Sequence, residues 1–210
     1  AFSTPDWFAG AVMYQVFPDR FNRAGSRGVE GLVGDRTLHG AWDEMVEYLP
    51  NAEGKFTCSD FFGGDLAGIR EKLRYLRSLG VTTLYLNPIF EAASNHRYDT
   101  ADYRHIDPLL GSEEDFRELC AAAAELGIRV ILDGVFNHTG SNSVYFNAKG
   151  FYPTVGAAQS PESPYASWYH FSRFPDEYDA WWGFKTLPAV EEVLSGHLCA
   201  CHRVREINDL

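Results

Sequence analysis

The sequence predicts an α/β protein built on a parallel sheet, and three observations carry that reading. Leu79-Gly80-Val81 and Leu126-Gly127-Ile128 each close a helical run and open an apolar, β-branched one. Two helix-to-strand units of one design imply right-handed crossovers and parallel strands. The second unit runs through Arg129–Leu132, with the composition of a strand buried on both faces, and breaks at once into Asp133, Gly134, Asn137, His138, Thr139 and Gly140. In parallel α/β proteins chemistry collects at the carboxyl ends of strands. A strand ending in Asp, Asn and His therefore reads as the floor of a site. A capped turn uses the same residue types, and Asn137-His138-Thr139 also fits a glycosylation acceptor.

In chain order, residues 1–10 are a lead-in that starts without Met and shows no signal peptide. The start is read as that of a processed or excised piece, and the location as cytoplasmic. Ala11–Phe17 is the first strand, ended by Pro18-Asp19-Arg20. From Phe21 to Gly64 periodicity fades into scattered Gly, Asn, Asp and Pro, an insertion long enough to fold locally or to serve function. Leu66, Ile69, Leu73 and Leu76 then recur at helical spacing, with Asp65 as cap and Gly80 as stop. Val81–Asn87 is the second strand. Ser112 and Asp115 form a capping arrangement for a second helix through Phe116, Leu119, Ala123 and Leu126, and the third strand follows Gly127. Beyond His138, five prolines among many aromatics between Ser141 and Pro188 predict an irregular subdomain over the strand ends.

The 210 residues suffice for one large or two small domains, and no apolar run is long enough to cross a bilayer. A net charge of -11 argues against binding a phosphate backbone and suits a neutral ligand such as a sugar. The 15 Phe, 11 Tyr and 5 Trp supply flat faces for stacking, although a core uses the same residues. Cys58, Cys120, Cys199 and Cys201 show no disulfide framework, and Cys120 reads as a core residue. His197, Cys199, Cys201 and His202 invite a zinc reading, but they lack the two separated ligand pairs of a structural site.

Several longer motifs sharpen this. MYQVFPDRF at 13–21, FGGDLAGI at 62–69, LYLNPIFEAASNHRYDTADYRHIDPLLG at 84–111, GIRVILDGVFNH at 127–138 and WWGFKTLPAV at 181–190 occur in order. Together they resemble the alpha-amylase family of glycoside hydrolases, most closely its neopullulanase, cyclomaltodextrinase and maltogenic amylase branch. The resemblance implies a partial (β/α)8 TIM barrel: strands one to three and their helices in residues 11–138, a long irregular segment after strand three in 139–190, and a divergent tail in 191–210. It implies an α-glucan oligosaccharide as ligand, neither nucleic acid nor membrane as partner, and homodimers among full-length relatives.

It also implies roles. His138 would bond hydroxyls of the glucose unit next to the scissile bond, with Asp133 orienting its neighbours. Tyr98 would stack on that ring, and His96 and Asp99 would help build the subsite. Asp99 also reads as a residue that holds its loop by backbone hydrogen bonds, and His96 as a packed loop histidine. Calcium is the one cofactor implied, with Asn137, Gly63 and Asp65 as candidate oxygen ligands, although RFNRAGSRG around Asn22 lacks the carboxylates to complete a cage. Retaining hydrolysis needs a carboxylate nucleophile and an acid ~5–5.5 Å apart. The family places these after strands four and five, so no residue here is assigned to either role and the chain alone is expected to be inactive.

Overall fold

A computed structural model describes residues 4–194 and 197–198. Two compact units emerge, one of residues 1–32, 36–89 and 106–133, the other of 33–35, 90–105 and those from 134 on.

The first unit holds the parallel sheet. Strands β1 (Met13–Val16), β4 (Thr83–Leu86) and β7 (Arg129–Leu132) run in the order β1-β4-β7. Leu84 pairs with Tyr14 on one side and Val130 on the other, all parallel. A second parallel pair, β2 (Thr37–Leu38) with β3 (Asp60–Phe61), lies inside the segment read as an insertion. The central strand is the buried one. On β7, Arg129 is exposed and Val130, Ile131 and Leu132 are only half-buried, which corrects the expectation of burial on both faces. The reason is position: among the described residues β7 has β4 as its one neighbour and forms an edge. The sheet is open, and no barrel closes among the described residues.

Both helices form where the apolar spacing places them. α1 (Leu66–Ser78) buries Leu66, Ile69, Leu73 and Leu76, one stripe of a 3.6-residue period. Each such side chain contributes up to about 1.5–3 kcal/mol on burial. α2 (Glu113–Glu125) starts at the capping box of Ser112 and Asp115 and buries Leu119 and Ala123. Gly80 and Gly127, at φ +86° and +66°, turn the chain from each helix into the next strand. These stripes meet Val16, Val81, Leu84, Leu86, Leu110 and Ile128 in one core.

The second unit has short strands: β5 (Phe90–Ala92) with β6 (Thr100–Ile106), β8 (Phe171–Arg173) antiparallel to β9 (Glu177–Tyr178), and β10 (Glu192–Leu194) antiparallel to β11 (His197–Leu198). Its core is aromatic: Tyr145, Phe146 and Tyr169 are buried with Val144, Ala157 and Val190. Residues 90–105 cluster with those from 134 on. Ala101 O accepts from Val144 N–H at 2.9 Å and Thr100 O from Gly140 N–H at 2.9 Å, tying β6 to the later segment. Cys120 is a half-buried free thiol. Cys199, Cys201 and His202 of the zinc reading lie outside the described residues.

Candidate functional site

The loop from Ser94 to Asp99 closes on itself. Asp99 accepts from Ser94 N–H at 3.2 and 3.3 Å and from the Ser94 hydroxyl. Asp99 is therefore the residue that holds the loop. His96 Nδ1 accepts the Tyr98 N–H at 3.1 Å and lies 3.0 Å from Ser94 Oγ. An Nδ1 used as acceptor puts the ring proton on Nε2. Burial, then the nearby Arg97 charge, hold His96 below the ordinary imidazole value against the pull of Asp99. Arg97 sits at φ +60° with its side chain fully buried, and its guanidinium reaches back to Asn95 O at 3.0 Å. This bend presents Tyr98 half-buried, its ring 5.8 Å from that of His96.

His138 arrives from the other loop. Its Nε2 lies 3.0 Å from Tyr98 O, so the ring donates there, and its exposure is 4%. Burial lowers its pKa, only partly offset by the Tyr98 carbonyl and Asp99. The ring is neutral, and Nδ1 is a buried acceptor with no hydrogen-bond partner. Trp181 stacks on it at 5.5 Å and 25°. The backbone is pinned as well, since His138 pairs with Ala189 and its carbonyl accepts from Tyr103 Oη at 3.2 Å.

Tyr103 belongs to a support that sequence reading did not find. Asp102, buried, accepts from Arg104 Nε at 3.0 Å and Nη2 at 2.9 Å, from His105 Nδ1 at 3.0 Å and from Tyr145 Oη at 3.2 Å. Burial works against its charge, but the Arg104 bonds win and hold the carboxyl below its ordinary value. Tyr145 stacks on Tyr103 at 5.5 Å and on Trp168 at 4.8 Å. The result is a chain of support from Asp102 through Tyr145 and Tyr103 to the backbone of His138. Its one signal in sequence was the density of aromatics.

Tyr98, His96, Asp99 and His138 are thus brought together within the second unit. Asp133 lies in the first, at the end of β7, where it accepts from the Tyr85 hydroxyl. Burial first and that carboxylate second raise the Tyr85 phenol. Asn137 uses its carbonyl to accept Val190 N–H at 3.0 Å.

The calcium ligands fare differently. Asp65 Oδ1 accepts from Gly68 N–H at 2.6 Å and Ala24 N–H at 3.3 Å, and Oδ2 from Gly25 N–H at 2.9 Å. Gly63 donates its N–H to Asp19 Oδ1 at 3.1 Å. A cation needs oxygen lone pairs facing it, whereas here amide hydrogens converge on the carboxylate. Asp65 is a helix cap and loop clasp, its carboxylate lone pairs taken up by amide hydrogens. Among the described residues no group of three or more His, Cys, Asp or Glu could hold a metal ion.

Comparison with known proteins agrees with the motif reading in family and branch. The family described as "Alpha amylase, catalytic domain" matches residues 15–188. An amylopullulanase of Thermoanaerobacterium saccharolyticum is 44% identical across 91% of this chain and 16% of its own length. An intracellular maltogenic amylase of Bacillus subtilis is 41% identical across 85% of this chain and 27% of its own. Among solved structures, the type III pullulan hydrolase from Thermococcus kodakarensis superposes with a TM-score of 0.76 at 35% identity, over 96% of this chain and 35% of that one. The chain thus spans less than a third of the length of either of these curated relatives.

Proposed function

This chain belongs to the alpha-amylase catalytic-domain family, and from that premise we propose that it forms the sugar-recognising opening part of an α-glucan hydrolase. β1, β4 and β7 stand for the first three strands of an eight-stranded barrel, and residues 139–190 for the irregular segment after the third. Tyr98 offers its ring to the C–H face of a glucose unit. His138, neutral, fixes that ring's loop beneath the same unit by donating Nε2–H to the Tyr98 carbonyl. A flat apolar face held on a rigid loop suits the C–H side of a pyranose.

The observation that carries this reading is the 3.0 Å link from His138 Nε2 to Tyr98 O. It fixes which nitrogen carries the proton and joins the two recognition loops. In the whole hydrolase, two carboxylates would perform the retaining displacement. None of the 210 residues is assigned to that work, so the chain's own contribution is binding and orientation.

Calorimetric titration of maltooligosaccharide into the 210-residue chain tests the proposal. Binding is expected, and Tyr98→Ala should weaken it about fivefold to tenfold, the worth of one ring contact. No reducing sugar should be released. Release by the purified chain would overturn the division of labour. An absence of binding would overturn the recognition role.

A further inference from the structure

Trp181 and Trp182 lie side by side in sequence and do different things. Trp181 is half-buried and stacks on both His138 and Trp182, the two indoles 5.5 Å apart and 14° from parallel. Trp182 ends the stack with 82% of its surface exposed. An indole that ends a stack and faces outward hides almost none of its apolar area, so core packing does not account for it.

The backbone beneath it is built for this display. Trp182 sits at φ 50°, ψ 25°, a left-handed conformation that side chains other than glycine rarely adopt. The turn holds it there. Gly183 N–H donates to Ala180 O at 3.0 Å, Phe184 N–H to Trp181 O at 3.0 Å, and Trp181 N–H to Leu187 O at 2.9 Å. Lys185 Nζ closes the same loop on Tyr178 O at 2.9 Å. Below the turn, Ala180 pairs with Pro188, and Ala189 with His138, so the loop is joined to the histidine's own backbone. The ring's direction is set before any ligand arrives.

We propose that Trp182 is a chain-length-specificity residue: its outer face stacks on a glucose unit of an α-glucan distant from the unit at His138. The inference rests on the α-glucan reading above and deepens it. Successive 5.5 Å ring-to-ring steps through Trp181 link Trp182 to His138, and its exposed outer face is open to a further glucose unit of the same chain. A short oligosaccharide that fills the His138 position alone never reaches it, while a long chain touches both. The flat, neutral indole matches the apolar face of a pyranose, and the intervening Trp181 ring links the two contact points.

The test compares maltose and maltoheptaose by calorimetry on the 210-residue chain and on Trp182→Gly. Glycine accepts the left-handed φ without strain, so the turn is kept while the platform is removed. Trp182→Tyr, which restores a ring, guards against a folding artefact. Maltoheptaose binding should weaken about tenfold in the glycine variant and largely recover in the tyrosine variant, with maltose changed less than about twofold. Equal loss for both sugars, or for neither, overturns the specificity role while leaving the glucan reading intact. Failure of the unaltered chain to bind either sugar overturns both. If sedimentation shows self-association that Trp182→Gly abolishes, with glucan binding unchanged, the face meets a second copy and the proposal falls.

Discussion

Asp65 and His138 show how a single residue's chemistry is decided by what points at it. Asp65 looks equally fit to cap a helix or to bind a cation when only its neighbours in sequence are known. Two of the three amides that reach it belong to Ala24 and Gly25, far back in the chain, and they make it a loop clasp as well as a cap. Asp65→Ala should therefore destabilise the fold by about 2 kcal/mol or more, a lost cap plus stranded loop amides. Urea unfolding measures it, and a chelator should leave the midpoint of the unaltered chain in place. Recovery of stability on adding calcium would contradict the clasp. His138 was legible as a polar residue in a loop after a strand. Its tautomer was not, because the carbonyl that fixes it comes from Tyr98, on a segment whose pairing no periodicity reveals.

Among the elements, those with a repeating apolar stripe and local caps were the ones legible in sequence. α1 and α2 carry their start signals within four residues, and their glycine stops take the left-handed φ expected of them. β2, β3, β5 and β6 went unseen, since strands of two to seven residues interrupted by polar groups leave no clear period to detect. The β2–β3 pair is where pH should act. His39, beside β2, places Nδ1 2.8 Å from Glu44 and Nε2 3.3 Å from Asp60, with its ring 4.1 Å from that of Phe62. Arg20 bonds Asp60 as well, and Arg23 holds the His39 carbonyl. Burial disfavours the charged ring, but the bonds to the two carboxylates outweigh it and raise the pKa above 6.5. A raised folded value means the stabilisation is full below pH 6.5 and lost as pH climbs through that higher value. Urea midpoints between about pH 6 and 9 should fall more for the unaltered chain than for His39→Gln. Parallel slopes would remove His39 from the explanation.

For the molecule as a whole, the parallel sheet was readable from two repeated junctions, while its edges were not. Apolar runs look alike whether a strand has one neighbour or two. β1 shows the consequence: among the described residues it is paired on one side, and Val12 and Met13 are each half exposed. Such an edge is a template for pairing with another chain. Light scattering of the 210-residue chain should show association that grows with concentration. Met13→Lys should suppress it without lowering the urea midpoint. A monodisperse monomer at every concentration would show the edge to be protected.

The polypeptide passes between its two units again and again, at 32–33, 35–36, 89–90, 105–106 and 133–134. Tyr98 therefore comes from one visit to the second unit and His138 from a later one. No single cut frees the recognition loops, and no continuous excerpt contains them without strand, helix and strand in between. Transplanting this specificity into another hydrolase would mean splicing at several places at once, so exchange of the whole block, seams included, is the practical route by which such a module could be moved.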